Sequence, residues 1–397
     1  MSPEPTADIV VIGGGVTGLS TARALAELGE GRVMVLERAA IGSGGTGKSS
    51  GVVRCHYGVR SLAAMAWRSL AVLERASETL GADAGFHRTG YLVAVGPENE
   101  ASLLANVAVH RELGIEVELL GTEDARGLWP GATFDDVAAV AYEPLGGYGD
   151  AHQTALAFAA AARRQGASIH QQCGVVGIEV RADRVVGVRL SDGDRVSTDR
   201  VVVAAGPWSV DLVAAVGVEL PIAAQRAQIL LVDPGCRLGL IPVLSDLVTL
   251  QYIRPDGSAS LLVGDSDHTQ PEWADPDDYV DRADDGFVER MITKFAHRFP
   301  GLSAAALATS YAGCYDVTPD YNPVISPSPI DGMWICAGFS GHGYKISPAV
   351  GELAADLVAK GASRHPDIDH RDFRFERFAE GDPLTSPHPY VGAGQMR

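Results

Sequence analysis

The first ninety residues alternate short apolar runs with an amphipathic segment. Residues 8–12 (DIVVI) and 33–36 (VMVL) are almost wholly apolar and rich in β-branched side chains, which is typical of buried parallel strands. Between them, residues 19–28 (LSTARALAEL) place apolar side chains at helical spacing, and Gly29 and Gly31 can end the helix. This order predicts a strand–helix–strand unit.

A glycine-rich turn joins the first strand to the helix. Gly13, Gly15 and Gly18 follow the pattern GxGxxG, which permits a tight turn, close approach of a pyrophosphate and close packing of helix on strand. The helix N-terminus beyond the turn favours an anion, because its N–H groups are free and its dipole is positive there. Glu37 follows the second strand and can accept hydrogen bonds from ribose hydroxyls. Together these features predict a dinucleotide site.

The rest of the chain continues to alternate helices and strands. We predict further helices at 62–80, 98–113, 154–164, 284–299 and 348–360. We predict further strands at 90–95, 168–180, 185–190, 200–205 and 332–337. A chain of 397 residues exceeds the usual size of a single core, so we expect two structural lobes.

A second glycine-rich motif supports a competing hypothesis. Residues 42–49 (GSGGTGKS) match the phosphate-loop pattern GxxxxGK[ST], and residues 229–233 (ILLVD) resemble a strand with a magnesium-binding aspartate. The alternative function is therefore a nucleotidase that uses Lys48. A phosphate loop leaves its strand directly, however, whereas residues 38–42 intervene here. We favour a loop that crosses the pyrophosphate of the dinucleotide.

Composition and charge exclude several classes of partner. The net charge of −18 disfavours nucleic acid and anionic membranes as partners. The five cysteines form no CxxC pair, so we expect neither a disulfide framework nor a metal site. No apolar run approaches the roughly 20 residues of a membrane span, and no basic leader precedes the first strand. We expect a soluble, cytoplasmic protein.

Five segments together resemble the D-amino-acid oxidase superfamily, on the branch of sarcosine oxidase, glycine oxidase and dimethylglycine dehydrogenase. They occur in family order across nearly the whole chain: DIVVIGGGVTGLSTARALAELG, VMVLERAAIGSGGTGKSSGVVRCHYG, RVVVAAGPWS, GCYDVTPDYNPVI and GMWICAGFSGHGYKISPAVGE. The resemblance implies an α/β fold, in which a Rossmann-type FAD domain with a parallel sheet is assembled from separated segments. A second, α+β domain with a mostly antiparallel sheet would bind the substrate.

The resemblance also implies where the chain divides. We expect the FAD domain at 1–85, 146–220 and 321–397, and the substrate domain at 86–145 and 221–320. The implied cofactor-binding residues are Gly13, Gly15, Val16, Thr17, Gly18, Glu37, Arg38, Lys48, Ser49, Ser50, Gly51, Val175, Ala205, Gly206, Trp208, Gly341, His342, Gly343, Tyr344 and Lys345.

The implied reaction is oxidation of the C–N bond of a small, N-methylated or otherwise secondary amino acid. Hydride transfer to flavin N5 would give an imine that water hydrolyses. By resemblance to sarcosine oxidase, Arg54 and Lys345 clamp the substrate carboxylate, and Tyr252 and Tyr315 line the pocket.

Two further alternatives stay open at this stage. The same fold could oxidise a 2-hydroxy acid, in which case His56 or His342 would act as the base. The chain could also be a flavin-binding subunit that works with a partner chain. The electron acceptor, oxygen or another molecule, is open, and the protein could be a monomer or a homo-oligomer.

Two positions depart from the pattern of sarcosine oxidase. The flavin-tethering cysteine of that enzyme aligns with Gly313, and Cys314 stands one residue later, so we predict dissociable FAD. The lysine that speeds the reaction with oxygen is replaced by Leu262. We therefore expect a slow reaction with oxygen or a different electron acceptor.

Overall fold

The computed structural model describes residues 3–391, so residues 1–2 and 392–397 of the two terminal segments that are expected to belong to the FAD domain lie outside it. The helices are α1 (Val16–Leu28), α2 (Arg60–Glu74), α3 (Ala76–Thr79), α4 (Glu100–Glu112), α5 (Thr122–Leu128), α6 (Ala151–Arg164), α7 (Ser209–Ala214), α8 (Asp285–Arg298) and α9 (Gly343–Lys360). The strands are β1 (Ile9–Ile12), β2 (Val33–Leu36), β3 (Val52–Val53), β4 (His87–Arg88), β5 (Tyr91–Val95), β6 (Glu118–Leu120), β7 (Ala139–Glu143), β8 (Gly147–Tyr148), β9 (Ser168–His170), β10 (Val175–Arg181), β11 (Arg184–Leu190), β12 (Arg195–Val196), β13 (Val201–Val203), β14 (Ala223–Asp233), β15 (Val243–Asp246), β16 (Gln251–Asp256), β17 (Ser260–Asp265), β18 (Ala306–Val317), β19 (Val324–Pro327) and β20 (Met333–Ala337).

A six-stranded sheet forms the Rossmann-type part of the fold. Its order is β19-β20-β13-β1-β2-β9, and every pair except β19–β20 is parallel. Every residue of β1, β2 and β13 is buried, as is typical of parallel strands that are covered on both faces. The strand–helix–strand unit predicted from residues 8–36 is therefore present.

An eight-stranded sheet forms the second part of the fold. Its order is β18-β14-β17-β16-β15-β5-β7-β6, and only the β15–β5 pair is parallel. The mostly antiparallel second sheet is thus confirmed. Its strands come from residues 91–143 and 223–317, and those of the six-stranded sheet come from 9–36, 168–203 and 324–337. The exact domain boundaries given above stay predictions.

Three predicted elements differ from those observed. The expected helix at 62–80 is two helices, because Arg75 leaves the helical conformation at φ −108° and ψ 32°. The expected strand at 168–180 is two strands in different sheets, β9 and β10. The helix expected at 348–360 begins at Gly343, and Pro348 lies inside it. Proline is most common in the first turn of a helix, because it lacks the N–H that an interior residue donates. A helix start at Pro348 is therefore expected from the sequence, but α9 begins at Gly343.

Helices α1 and α9 pack closely against each other beside the six-stranded sheet. Gly351 of α9 makes this approach possible, because a Cβ added there would lie 2.2 Å from Ser20 Oγ and 2.5 Å from the Ser20 backbone. Both residues are buried. Within the part of the chain that the structure describes, no helix combines the length and apolarity needed to cross a bilayer.

We predict that Gly351→Ala lowers the free energy of unfolding by about 1–3 kcal/mol, because the added methyl overpacks the α1–α9 contact. The measurement is urea unfolding followed by circular dichroism, with saturating FAD in every sample. Gly127→Ala is the matched control, since Gly127 lies in the exposed helix α5 with nothing within 4 Å of an added Cβ. Equal stability of the Gly351→Ala variant and the wild type would contradict the prediction.

Candidate functional site

A cavity of about 790 Å³ lies at the carboxyl ends of β1, β2 and β13. This edge of an open parallel sheet is where dinucleotides bind. Of the predicted cofactor-binding residues, fifteen line the cavity: Gly13, Gly15, Val16, Thr17, Glu37, Arg38, Lys48, Ser49, Val175, Ala205, Gly206, Trp208, Gly341, Gly343 and Tyr344. Gly18, Ser50, Gly51, His342 and Lys345 do not line it.

The glycine turn has the geometry that a pyrophosphate requires. Gly13 has φ +111°, and a Cβ added there would lie 2.3 Å from the carbonyl oxygen of Ala204. Gly18 packs against the turn, because a Cβ added to Gly18 would lie 2.2 Å from Gly13 O. This contact explains why Gly18 does not line the cavity. The N-cap residue of helix α1, Gly15, makes no side-chain hydrogen bond, and Val16 N donates to Thr46 Oγ1. The other N–H groups of the first turn fit a phosphate group.

Glu37 is held where it can contact a ribose. Its Oε2 accepts a hydrogen bond from Gly14 N at 2.6 Å, and its Oε1 accepts one from Ala39 N at 2.8 Å. Each carboxylate oxygen has a second lone pair left for a ligand hydroxyl. The fixed carboxylate on the cavity wall supports the predicted role of Glu37.

Arg38 and Trp208 close the same end of the cavity. The Arg38 guanidinium lies 3.9 Å from the centre of the Trp208 ring. Asp277 joins both, since its carboxylate accepts from Arg38 Nη2 at 2.7 Å and from Trp208 Nε1 at 2.9 Å. Sequence reasoning missed Asp277, because it lies 239 residues from Arg38 and no motif marks it.

The loop at 42–49 does not have the structure of a phosphate loop. Residues 45–48 form one turn of 3₁₀ helix, and Ser49 is extended, so no long helix follows the glycines. Asp233, the proposed magnesium ligand, ends β14 in the other sheet and pairs with Ala306. Thr46 rather than Lys48 reaches helix α1, where its Oγ1 accepts from Val16 N at 3.0 Å. The nucleotidase hypothesis is therefore wrong.

Tyr315 lines the cavity, whereas Tyr252 does not. Tyr252 hydrogen-bonds Tyr315 and Ser50, and burial raises the pKa of its hydroxyl well above the usual value. Gly51 beside Ser50 has φ +71°, and its Cβ would lie 2.1 Å from Gly149 O. Ser50 and Gly51 therefore adjoin the wall residue Ser49 without lining the cavity themselves.

Arg54 and Lys345 are brought together in the protein interior. Their side chains are about as buried as the apolar core, at 4% and 5% exposed. The guanidinium of Arg54 lies 4.2 Å from the Tyr57 ring and donates to the carbonyl oxygen of His56. Burial lowers the pKa of Lys345 well below its usual value, and the charge of Arg54 lowers it further. Lys345 also donates to Gly341 O, a residue of the cavity wall, at 3.4 Å.

The two histidines predicted as candidate bases, His56 and His342, each contact a tyrosine. His56 Nε2 lies 2.7 Å from Tyr390 Oη, and His342 Nδ1 lies 3.1 Å from Tyr57 Oη. Burial lowers the pKa of both histidines well below the usual value, so both are neutral at pH 7. Neither lines the cavity.

Sequence reasoning missed Glu143, which ends β7 and is 3% exposed. Its Oε2 accepts from Cys55 N at 2.8 Å, and burial raises the pKa of its carboxyl to about 7. His110, buried beside it, has a pKa lowered by burial to about 4. An acidic residue at a buried position of an apolar strand is the feature of the sequence from which Glu143 could have been identified.

The Glu143, His56 and His110 side chains form a cluster whose nearest polar atoms lie within 4.8 Å of one another. Such a set could attract a metal ion. The positive charge of Arg54, however, acts on all three side chains. A buried guanidinium opposes the entry of a metal cation into the same space, because two positive charges that are shielded from water repel each other strongly. We therefore do not assign a metal to the cluster.

The family is decided by a comparison with family models. A model described as FAD dependent oxidoreductase (DAO) matches residues 8–357. The chain belongs to this family. It is therefore an FAD-dependent oxidoreductase, and the size and glycine turn of the cavity fit that cofactor.

Several members of this FAD dependent oxidoreductase family are similar along most of the chain. The chain is 29% identical over 390 residues to a 4-methylaminobutanoate oxidase of Paenarthrobacter nicotinovorans, covering 95% of this chain but 46% of that protein. It is 28% identical to sarcosine oxidase subunit beta of Rhizobium meliloti, covering 96% and 90%. The solved structure of L-proline dehydrogenase from P. horikoshii superposes with a TM-score of 0.87 at 27% identity, covering 96% and 100%.

We predict that FAD in this oxidoreductase is released by acid precipitation. Cys314 lines the cavity, but burial raises the pKa of its thiol to about 11, and a protonated thiol is a poor nucleophile. The measurement is the flavin absorbance of supernatant and pellet. Flavin that stays in the wild-type pellet and leaves the pellet of Cys314→Ala would identify a covalent bond and contradict the prediction.

Proposed function

We propose that the protein oxidises the C–N bond of a small amino acid whose amine is secondary or N-methylated. The observation that carries this proposal is the buried pair of basic side chains, Arg54 and Lys345. An isolated buried cation is costly, so such a pair needs an anion. One carboxylate, Glu143, acts on Arg54 in the site, and a substrate carboxylate is the anion that the pair would bind.

The relatives support the same substrate class. Three relatives are named for 4-methylaminobutanoate, sarcosine and L-proline. Each of these molecules joins a carboxylate to a secondary amine. A carboxylate that is anchored by Arg54 and Lys345 would place the neighbouring amine carbon towards the cavity wall at Gly341.

The residues of the site would bind and orient the substrate rather than attack it. FAD, when bound, supplies the hydride acceptor at N5. Arg54 offers a planar fork of donors for a carboxylate, and Lys345 offers a point charge. Tyr252 and Tyr315 would form the wall beside the substrate, since they are hydrogen-bonded to each other. Correct placement is the main contribution that this reaction needs from the protein.

The amine substrate is favoured over a 2-hydroxy acid. Oxidation of a hydroxyl requires a base that takes its proton. His56 and His342 are the candidates, but each contacts a tyrosine, and the relatives described above are named for amines.

We predict that anaerobic addition of sarcosine, L-proline or 4-methylaminobutanoate bleaches the flavin band near ~450 nm. Arg54→Met should raise the substrate concentration for half-reduction by about 10–100-fold, as expected for loss of a charged hydrogen bond worth about 1.5–3 kcal/mol. Arg60→Met is the matched control, since Arg60 is an exposed arginine that pairs with Glu112. A flavin that none of these amines reduces would overturn the proposal.

We also propose that the reduced protein reacts slowly with oxygen. Leu262, which stands where sarcosine oxidase has a lysine, is a buried residue of β17 and brings no charge. The relatives include proteins named as oxidases and as dehydrogenases. Reoxidation in air should therefore be much slower than with a soluble redox dye. Equal rates in a stopped-flow comparison would contradict this.

The possibility of a partner chain is tested separately. The relatives include three that are named sarcosine oxidase subunit beta. If the enzyme depends on a partner, substrate would reduce the flavin of the purified chain, but turnover would occur only after a second polypeptide is added. Turnover by the purified chain with the redox dye would exclude that requirement.

A further inference from the structure

Glu143 occupies an unusual position for a carboxylate. It is buried at the end of β7, and its Oε1 has no hydrogen-bond partner. The nearest candidate is His56 Nδ1, which is 3.8 Å away and also lacks a partner. Two unsatisfied buried polar atoms that face each other are costly, and a proton placed between them would satisfy both.

The groups around Glu143 come from several elements. Those that act on it electrostatically or lie beside it are Arg54, Cys55, His56 and Tyr57 from the segment after β3, Tyr91 from β5, His110 from α4 and Tyr390 from the C-terminal segment. From α9 and its N-terminal flank, Lys345 and His342 face Arg54. Both histidines next to Glu143 are neutral because they are buried. Arg54 is therefore the cation that balances the Glu143 carboxylate.

We propose that Glu143 is the counter-ion of Arg54 in the free protein and that a substrate carboxylate replaces it, with uptake of one proton onto Glu143 as the substrate binds. This inference rests on the proposed function. It makes Glu143 a positioning residue, which acts on the substrate through Arg54.

The exchange keeps the charge of the site constant. In the free protein above pH 7, Arg54 is positive and Glu143 is negative, while Lys345 keeps one protonation state throughout. In the complex, Arg54 is positive, the substrate carboxylate is negative and Glu143 is neutral, so one proton has come from solvent. Two carboxylates that share a buried site repel, and one of them therefore takes a proton. Burial already raises the pKa of Glu143 to about 7, so the proton is available near neutral pH.

His56 is the group that would accept a hydrogen bond from the protonated Glu143. A protonated Glu143 can donate from Oε1 to His56 Nδ1 after a shift of less than 1 Å, estimated from usual hydrogen-bond lengths. His56 Nε2–H then donates to the Tyr390 hydroxyl, at the observed distance of 2.7 Å. This tautomer satisfies both atoms that lack partners.

The test measures binding of methoxyacetate, which has the shape of sarcosine but an ether oxygen in place of the amine. It stays ionised and has no amine to titrate. The dissociation constant for the FAD-loaded protein is read from the flavin spectrum between pH 6 and pH 9. Binding should be tightest below pH 7 and should weaken by about tenfold per pH unit above it, because Glu143 must then be protonated on binding.

Glu143→Gln is the diagnostic variant, since glutamine resembles the protonated acid. Its dissociation constant should be the same from pH 6 to pH 9 and close to the low-pH value of the wild type. Glu118→Gln is the matched control, because Glu118 is exposed in β6 of the same sheet, and it should keep the wild-type slope. Calorimetry of the wild type in two buffers of different ionisation enthalpy should show about one proton taken up at pH 8.

The outcomes separate this inference from the proposed function. Methoxyacetate binding that is independent of pH in the wild type, or a slope that persists in Glu143→Gln, overturns the proton exchange but leaves Arg54 as the carboxylate site. Absence of methoxyacetate binding at every pH overturns the inference, whereas the proposed function is overturned only if the amines fail to reduce the flavin. If Glu143→Gln does not fold, the wild-type slope and the proton count decide the matter.

Discussion

The site depends on the burial of positive charge beside the flavin cavity. Arg54 and Lys345 are both nearly inaccessible to solvent, and a charge in such a place must be matched by an opposite charge or lost. Glu143 matches Arg54, and Lys345 adapts by a lowered pKa. We propose that a small anionic substrate takes the place of Glu143 as the partner of Arg54, so that affinity for a carboxylate would follow from the packing.

The fold brings these side chains together from distant parts of the chain. Arg54 follows the loop that lines the cofactor cavity, Lys345 lies in the first turn of α9, and Glu143 ends a strand of the eight-stranded sheet. The contact between Cys55 and Glu143 spans 88 residues. The site therefore forms only when both sheets are in place, which explains why its polar groups can be buried so completely.

The local parts of this structure could be predicted from the sequence. The strand, glycine turn, helix and second strand of residues 8–36 are specified by residues close in the chain, and so are Gly13, Gly15 and Glu37 on the cavity wall. Glu143, His110 and Tyr390 could not be placed, because their roles arise only from packing between distant segments. Pro348 shows that a local rule can also fail, since a helix start is expected at this proline, whereas α9 begins at Gly343.

The central claim is that the buried basic pair recognises the carboxylate of a secondary amino acid. It is tested most directly by anaerobic titration of the FAD-loaded protein with sarcosine and with sarcosine amide, which keeps the secondary amine but has no carboxylate. The account predicts that sarcosine bleaches the flavin at a concentration about 10–100-fold lower than the amide does, as expected for loss of a charged hydrogen bond. Equal bleaching by the two compounds would contradict it.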